Sequence, residues 1–156
     1  MTRAERILDA ARKAGLRIAT AESCTGGMVA VALTDLPGSS HVFERGFVTY
    51  SNAAKLQMLG VRKATLSSHG AVSEEVAAEM AEGALAHSEA HLAVAITGIA
   101  GPGGSDFKPE GRVCFALAMN GAETQAETVE FGALGRDKVR LAARDHALDL
   151  LDSALD

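Results

Sequence analysis

Within six residues, Glu22-Ser23-Cys24-Thr25-Gly26-Gly27 gathers a carboxylate, two hydroxyls, a thiol and two glycines. The stretch sits where a short apolar run, residues 16–19, gives way to a helical pattern, and α/β proteins commonly hold ligands at such strand-to-helix turns. Glycine lets backbone approach a bound group, and free N–H groups at a helix start offer an anion or oxyanion site. Ser23 is therefore a candidate nucleophile, its hydroxyl able to meet a carbonyl carbon while neighbouring N–H groups stabilise the oxyanion. By spacing alone, however, a helix-capping Ser23 or Thr25 is the commoner outcome. Cys24 is either a rival nucleophile, its thiolate favoured by the helix dipole, or a small buried hydrophobe.

A serine nucleophile needs a base. Lys55 lies among Ala53, Ala54, Leu56 and Met58, and burial there would lower its pKa towards neutrality, letting a neutral amine take the serine proton and return it to leaving ammonia. The competing reading is an exposed helix lysine. Tyr50, the only tyrosine, can hydrogen-bond in the site or pack with its hydroxyl at the surface. A second glycine-rich run, Gly98-Ile99-Ala100-Gly101-Pro102-Gly103-Gly104, follows Thr97 and suits a phosphate or ribose, with Thr97 as hydroxyl donor. It lacks the Gly-Lys-Ser/Thr ending of a P-loop and the dinucleotide spacing, so a plain connecting loop stays open. Arg136, Arg140 and Arg144 recur every four residues; such a stripe is usually a solvated face, here with Asp137 or Asp145, although one arginine turned inward would suit a phosphate.

The elements that must position these groups follow from periodicity. Residues 3–14 form an amphipathic helix closed by Gly15, 16–21 a short strand, and 28–33 an apolar helix ending near Pro37. A strand-like run covers 42–50, and Ser51 or Asn52 caps a helix reaching Leu59 and Gly60. Residues 65–70 read as loop, and a long helix starts at Ser73 and runs to His87. The apolar run 91–97 is a strand buried on both faces, and Asn120-Gly121 joins strands 111–118 and 124–131 as an antiparallel hairpin. A last helix covers 135–151. The pattern predicts one α/β domain over residues 1–156: a three-layer α/β/α sandwich with a mixed, mainly parallel sheet and a C-terminal antiparallel hairpin.

Composition narrows the function. A formal net charge of −5 disfavours non-specific nucleic-acid or acidic-membrane binding, and 4% aromatic residues without tryptophan leave little for base stacking. Cys24 and Cys114 have neither the number nor the spacing of a disulfide framework or zinc site, and the five histidines show no metal-ligand spacing, so neither metal nor cofactor is called for. Small anions remain possible ligands, and with no signal peptide or membrane-length apolar run visible the protein is expected in the cytoplasm.

Ala21-Glu22-Ser23-Cys24-Thr25-Gly26-Gly27, Phe43-Glu44-Arg45-Gly46-Phe47-Val48-Thr49-Tyr50-Ser51-Asn52-x-x-Lys55, Gly70-Ala71-Val72-Ser73 and the run from Thr97 to Gly104 strongly resemble the CinA C-terminal domain family, the nicotinamide-nucleotide amidases. The match is collinear from about residue 19 to residue 140. It implies hydrolysis of nicotinamide mononucleotide to nicotinic acid mononucleotide and ammonia in pyridine-nucleotide salvage, by a metal-independent serine–lysine mechanism. By position, Ser23 would be the nucleophile, Lys55 the base, and Tyr50 a group that assists proton transfer or orients Lys55. The resemblance assigns substrate binding to Cys24, Thr25, Gly26, Gly27, Thr97, Gly98, Gly101, Gly103, Gly104 and to Arg136 or Arg140, one of which would meet the phosphate. It also implies the three-layer fold and a homodimer. Longer members carry an N-terminal domain associated with ADP-ribose pyrophosphatase chemistry, an activity expected to be absent here. At Glu110-Gly111-Arg112 the chain departs from many relatives, which have a neutral residue and threonine around the glycine. A non-catalytic nucleotide-binding or competence- and DNA-damage-associated interaction module is the alternative.

Overall fold

Along the central strands, branched or aromatic side chains alternate with alanine, and this alternation decides how the layers assemble. In the computed structural model, which describes residues 1–105 and 107–156, the strands are β1 (Ile18–Glu22), β2 (Phe43–Val48), β3 (Leu92–Gly98), β4 (Arg112–Met119) and β5 (Gln125–Glu130), paired in the order β2-β1-β3-β4-β5. β1 runs parallel to β2 and β3, and β4 runs antiparallel to β3 and β5. Four of the five strands therefore share one direction, with the hairpin at the β5 edge.

One face carries Ile18, Leu92, Val94, Ile96, Val113 and Phe115, which pack against α1 (Arg3–Ala14), α2 (Met28–Thr34) and α6 (Arg136–Ala154). The other face carries Ala19, Ala21, Ala93, Ala95, Ala116 and Ala118 under α3 (Asn52–Leu59) and α5 (Glu74–Ala86). Period-two alternation sorts the two sets. With methyl groups over most of that second face, Phe47 and Cys114 being the larger side chains there, α5 can lie close against the sheet, and it also meets α3 closely: a Cβ on Gly83 would fall 1.9 Å from Leu59 O.

Local signals set most boundaries. Thr2 and Glu5 form a capping box at α1, Ser51 Oγ accepts from Ala54 N at 3.0 Å, and Ser73 Oγ accepts from Val76 N at 3.2 Å. β1 starts at Ile18, two residues later than periodicity suggests, because Gly15 N–H and Leu16 N–H close a Schellman cap onto Arg12 O and Ala11 O. Residues 65–70, expected as loop, belong instead to α4 (Lys63–His69), which precedes Gly70. That helix buries only Thr65, so it has no apolar period to detect; Glu79 of α5 holds it by accepting from Arg62 N and Thr65 Oγ1 at 2.8 and 2.6 Å. At the hairpin, Ala122 N–H reaches Met119 O and only Gly121, at φ 82°, is left-handed. That is a type II arrangement, whereas type I′ would need a positive φ at Asn120 as well.

The chain leaves β1 over the branched face through α2 and leaves β2 over the alanine face through α3, α4 and α5. The carboxyl end of β1 is thus the point where connections part to opposite faces, the usual place for a site in an open α/β sheet. Gly83→Ala tests the layer packing. In an ordinary helix alanine is favoured over glycine by about 1 kcal/mol, but here it should destabilise by about 2–3 kcal/mol through overlap with Leu59. A lower urea midpoint is expected, and an unchanged or higher one contradicts the packing.

Candidate active site

Ser23 is the first residue beyond β1, and its N–H still donates to Ile96 O of β3 at 2.9 Å, which fixes its backbone to the sheet. Opposite it, the chain leaves β2 through Thr49 and Tyr50 into α3, whose first turn carries Lys55 inward to 1% exposure. Lys55 Nζ lies 3.0 Å from Ser23 Oγ, 2.9 Å from Thr49 O and 3.2 Å from Tyr50 O. As an ammonium, the group donates to all three. As a neutral amine it donates to the two carbonyls and turns its lone pair to the Ser23 hydroxyl, so both protonation states are satisfied by the same geometry.

Burial depresses the Lys55 pKa below its ordinary value of 10.5, and among the described residues no carboxylate forms a salt bridge with it. The direction favours the neutral base. Because the folded value lies below the unfolded one, the unfolded chain binds the extra proton in the interval between them, and stability rises with pH across that interval.

The turn itself is held from beneath. Glu22, fully buried on the other face, accepts from Thr25 Oγ1 at 2.6 Å, Val29 N at 3.0 Å and Ala30 N at 3.1 Å. This corrects the expectation of a helix start with free donors: the first-turn N–H groups of α2 are largely taken by the chain's own carboxylate. Gly26 N–H returns to Ser23 O, and Met28 N–H to Thr25 O. Cys24, Thr25 and Gly27 keep N–H groups with no acceptor among the described residues, so the turn still has main-chain donors to offer a ligand.

Cys24 is 4% exposed within the core under α1, α2 and α6, and burial, with the Glu22 charge adding, pushes its thiol up to about 11. A thiolate is therefore disfavoured there. With the Thr25 hydroxyl spent on Glu22, what Cys24 and Thr25 offer is backbone, and Arg140 uses it: its Nε donates to Cys24 O at 3.0 Å and its Nη2 to Thr25 O at 3.4 Å. Gly26 passes beside that guanidinium at φ 59°.

The rim is formed differently. Tyr50 is 59% exposed, and its hydroxyl accepts from Arg136 Nη2 at 2.7 Å, so the phenol faces Arg136 while its main-chain carbonyl holds Lys55. Arg136 Nη1 donates to Gly101 O at 2.7 Å, tying α6 to the second glycine loop. Arg144, third in the stripe, pairs with Asp145 on the solvent side. Thr97 is buried and its hydroxyl donates to Ala71 O at 2.8 Å, joining the end of β3 to the segment before α5. The glycines of the second loop are required by the chain itself: a Cβ on Gly101 would lie 2.5 Å from Glu110 Cδ, and one on Gly104 would lie 2.3 Å from Lys108 O. Lys108 Nζ in turn donates to His69 O and Val72 O.

Sequence reasoning singled out Glu22 and Glu110 without giving either a role, and it did not single out Lys108. For Glu22 a signal exists: a lone acidic residue ends an apolar strand, and the following helix begins after Gly27 with no Ser, Thr, Asp or Asn at its cap.

A family model described as the CinA C-terminal domain matches residues 1–155. A nicotinamide-nucleotide amidohydrolase PncC of Escherichia coli K12 is 53% identical over 152 residues, 97% of this chain and 92% of that protein. A CinA-like protein of Chlorobium phaeobacteroides is 60% identical over 121 residues, 74% of this chain but 29% of its own length; the chain spans about a third of such longer relatives. Among solved structures, the competence/damage inducible protein CihA of Agrobacterium tumefaciens superposes with a TM-score of 0.94 at 49% identity, covering 98% of this chain and 93% of that one.

Proposed function

Since the chain belongs to the CinA C-terminal domain family, we propose that it is a nicotinamide-nucleotide amidase that converts nicotinamide mononucleotide to nicotinic acid mononucleotide and ammonia. The observation that carries this reading is the Lys55 amine, buried, 3.0 Å from Ser23 Oγ and oriented by two main-chain carbonyls. The name of the Escherichia coli relative supports the substrate class.

In the proposed mechanism Ser23 Oγ attacks the carboxamide carbon as its proton passes to neutral Lys55. The oxyanion takes free main-chain N–H groups of the turn from Cys24 to Gly27. Lys55 then gives its proton to the leaving nitrogen, the C–N bond breaks, ammonia departs, and an ester to Ser23 remains. Water attacks the ester with Lys55 again taking the proton, and Lys55 returns it to Ser23 Oγ as the acid leaves. Every proton moves through one amine, and no step calls on a metal ion.

On this reading Arg136, exposed at the rim and adjacent to the glycine loop, meets the substrate phosphate. Arg140 holds the nucleophile turn through Cys24 O and Thr25 O. Tyr50 serves in two ways, its carbonyl orienting Lys55 and its hydroxyl orienting Arg136. The reaction belongs to pyridine-nucleotide salvage in the cytoplasm; among the described residues no helix is long and apolar enough to cross a membrane.

A homodimer is part of the same proposal. β2 is an open sheet edge, and Val31, Val48, Leu56 and Met58 are exposed on it and on the helices α2 and α3. Sedimentation at twice the chain mass is expected, and a single-chain mass overturns that part.

The purified protein should release ammonia from nicotinamide mononucleotide. Ser23→Ala and Lys55→Ala, folded by circular dichroism, should each lower kcat by at least about a thousandfold. Cys24→Ala should stay within about threefold of the wild type. Normal turnover by folded Ser23→Ala, or loss of turnover in Cys24→Ala alone, sinks the serine assignment.

A further inference from the structure

Glu110 lies outside the reacting groups, yet its carboxylate joins two segments on which the substrate's anionic end depends. Its Oε1 accepts from Gly103 N at 2.6 Å and its Oε2 accepts from Gly135 N at 3.1 Å. Gly103 is in the second glycine loop. Gly135 is the residue before Arg136 and the cap of α6, which has no side-chain cap of its own. The same loop is tied to the same helix by Arg136 Nη1 on Gly101 O, so carboxylate and guanidinium close a ring in which each holds the other's segment.

The base of this brace is rigid. Gly111, the next residue, donates to Ile99 O at 2.8 Å and accepts from Phe131 N at 2.8 Å, which sets the Glu110 backbone between the ends of β3 and β5. The loop backbone also packs directly on the carboxylate, leaving no room for a side chain at Gly101. A neutral or shorter side chain at 110 cannot satisfy both N–H groups, because only a carboxylate presents an acceptor in each direction at that reach.

We infer that Glu110 is a positioning residue for substrate binding: it holds the glycine loop and the start of α6 in one arrangement, and so fixes Arg136 where the nucleotide's phosphate can meet it. The inference rests on the amidase reading for the identity of the ligand. It separates two halves of the site by their supports. Ser23 and Lys55 are held by main-chain bonds from β3 and the carbonyls of Thr49 and Tyr50, none of which goes to Glu110, whereas the loop and the residue before Arg136 are held by Glu110; the Tyr50 hydroxyl, which accepts from Arg136, links the two halves through a side chain. Loosening the brace should therefore lower the fraction of molecules competent to bind and leave the chemical step intact.

Steady-state ammonia release and binding of nicotinamide mononucleotide to Ser23→Ala protein test this together. Glu110→Ala should raise KM about tenfold with kcat within about twofold. Glu110→Gln, which keeps one acceptor oxygen, should give a smaller rise. In the Ser23→Ala background the nucleotide Kd should rise by the same factor as KM. Amide exchange at Gly103 and Gly135 should quicken in Glu110→Ala whatever the substrate proves to be. Should Glu110→Ala fail to fold, Glu110→Gln carries the same comparison. An active wild type with unchanged KM and Kd in the Glu110 variants, a fall in kcat alone, or unchanged exchange at the two glycines overturns the positioning role. A wild type that releases no ammonia overturns the amidase reading instead, and the exchange and binding measurements still decide the role of Glu110.

Discussion

A primary amine taken almost wholly out of water is tolerable only if its protons find acceptors, and Lys55 meets that demand with two carbonyls and one hydroxyl. Much of the surrounding structure follows from that constraint. Thr49 and Tyr50 must follow β2 with their carbonyls turned towards Lys55, and Ser51 must cap α3 so that Lys55 enters from its first turn. Ser23 must stay in register with β3, which its N–H to Ile96 O ensures. The cost of burial, set against full hydrogen bonding, lowers the pKa and makes the neutral amine more accessible, so the arrangement that satisfies the group also favours the form the proposed mechanism needs.

A second constraint recurs at two helices. Both α2 and α6 begin after a glycine with no side-chain cap of their own, and in each case a carboxylate from another segment binds at the start: Glu22 accepts from Val29 N and Ala30 N within α2, and Glu110 from Gly135 N just before α6. Glycine at these starts frees the backbone to turn sharply beside the site, at φ 109° for Gly27 and 94° for Gly135. Glu22 then does for α2 what a local cap would do, and Glu110 fixes the residue from which α6 starts. The turn that carries Ser23 and the helix that carries Arg136 are thereby pinned from below and behind, leaving the face towards the substrate open.

What the sequence made legible follows from the range over which each signal acts. Helices with a local cap and an apolar stripe, such as α1 and α5, are read from neighbouring residues. α4 escapes because Glu79, fourteen residues beyond Thr65, holds it rather than a buried stripe. Spacing alone leaves Ser23 as a cap, since the lysine that gives it chemistry is 32 residues away; the motifs taken together with the family resemblance name both. Glu110 pairs with loop backbone on one side and α6 on the other, a contact that no local pattern encodes. The division of labour between Arg136 and Arg140, one at the rim and one under the turn, likewise depends on where α6 crosses the sheet.

The proposed reaction turns on Lys55 being poised as a neutral base. Titrating the lysine side chains of the intact protein by carbon-detected NMR, with Lys55→Arg to assign the resonance, measures that directly. Lys55 is expected to lose its proton below the ordinary value of 10.5. Titration at or above that value would contradict it.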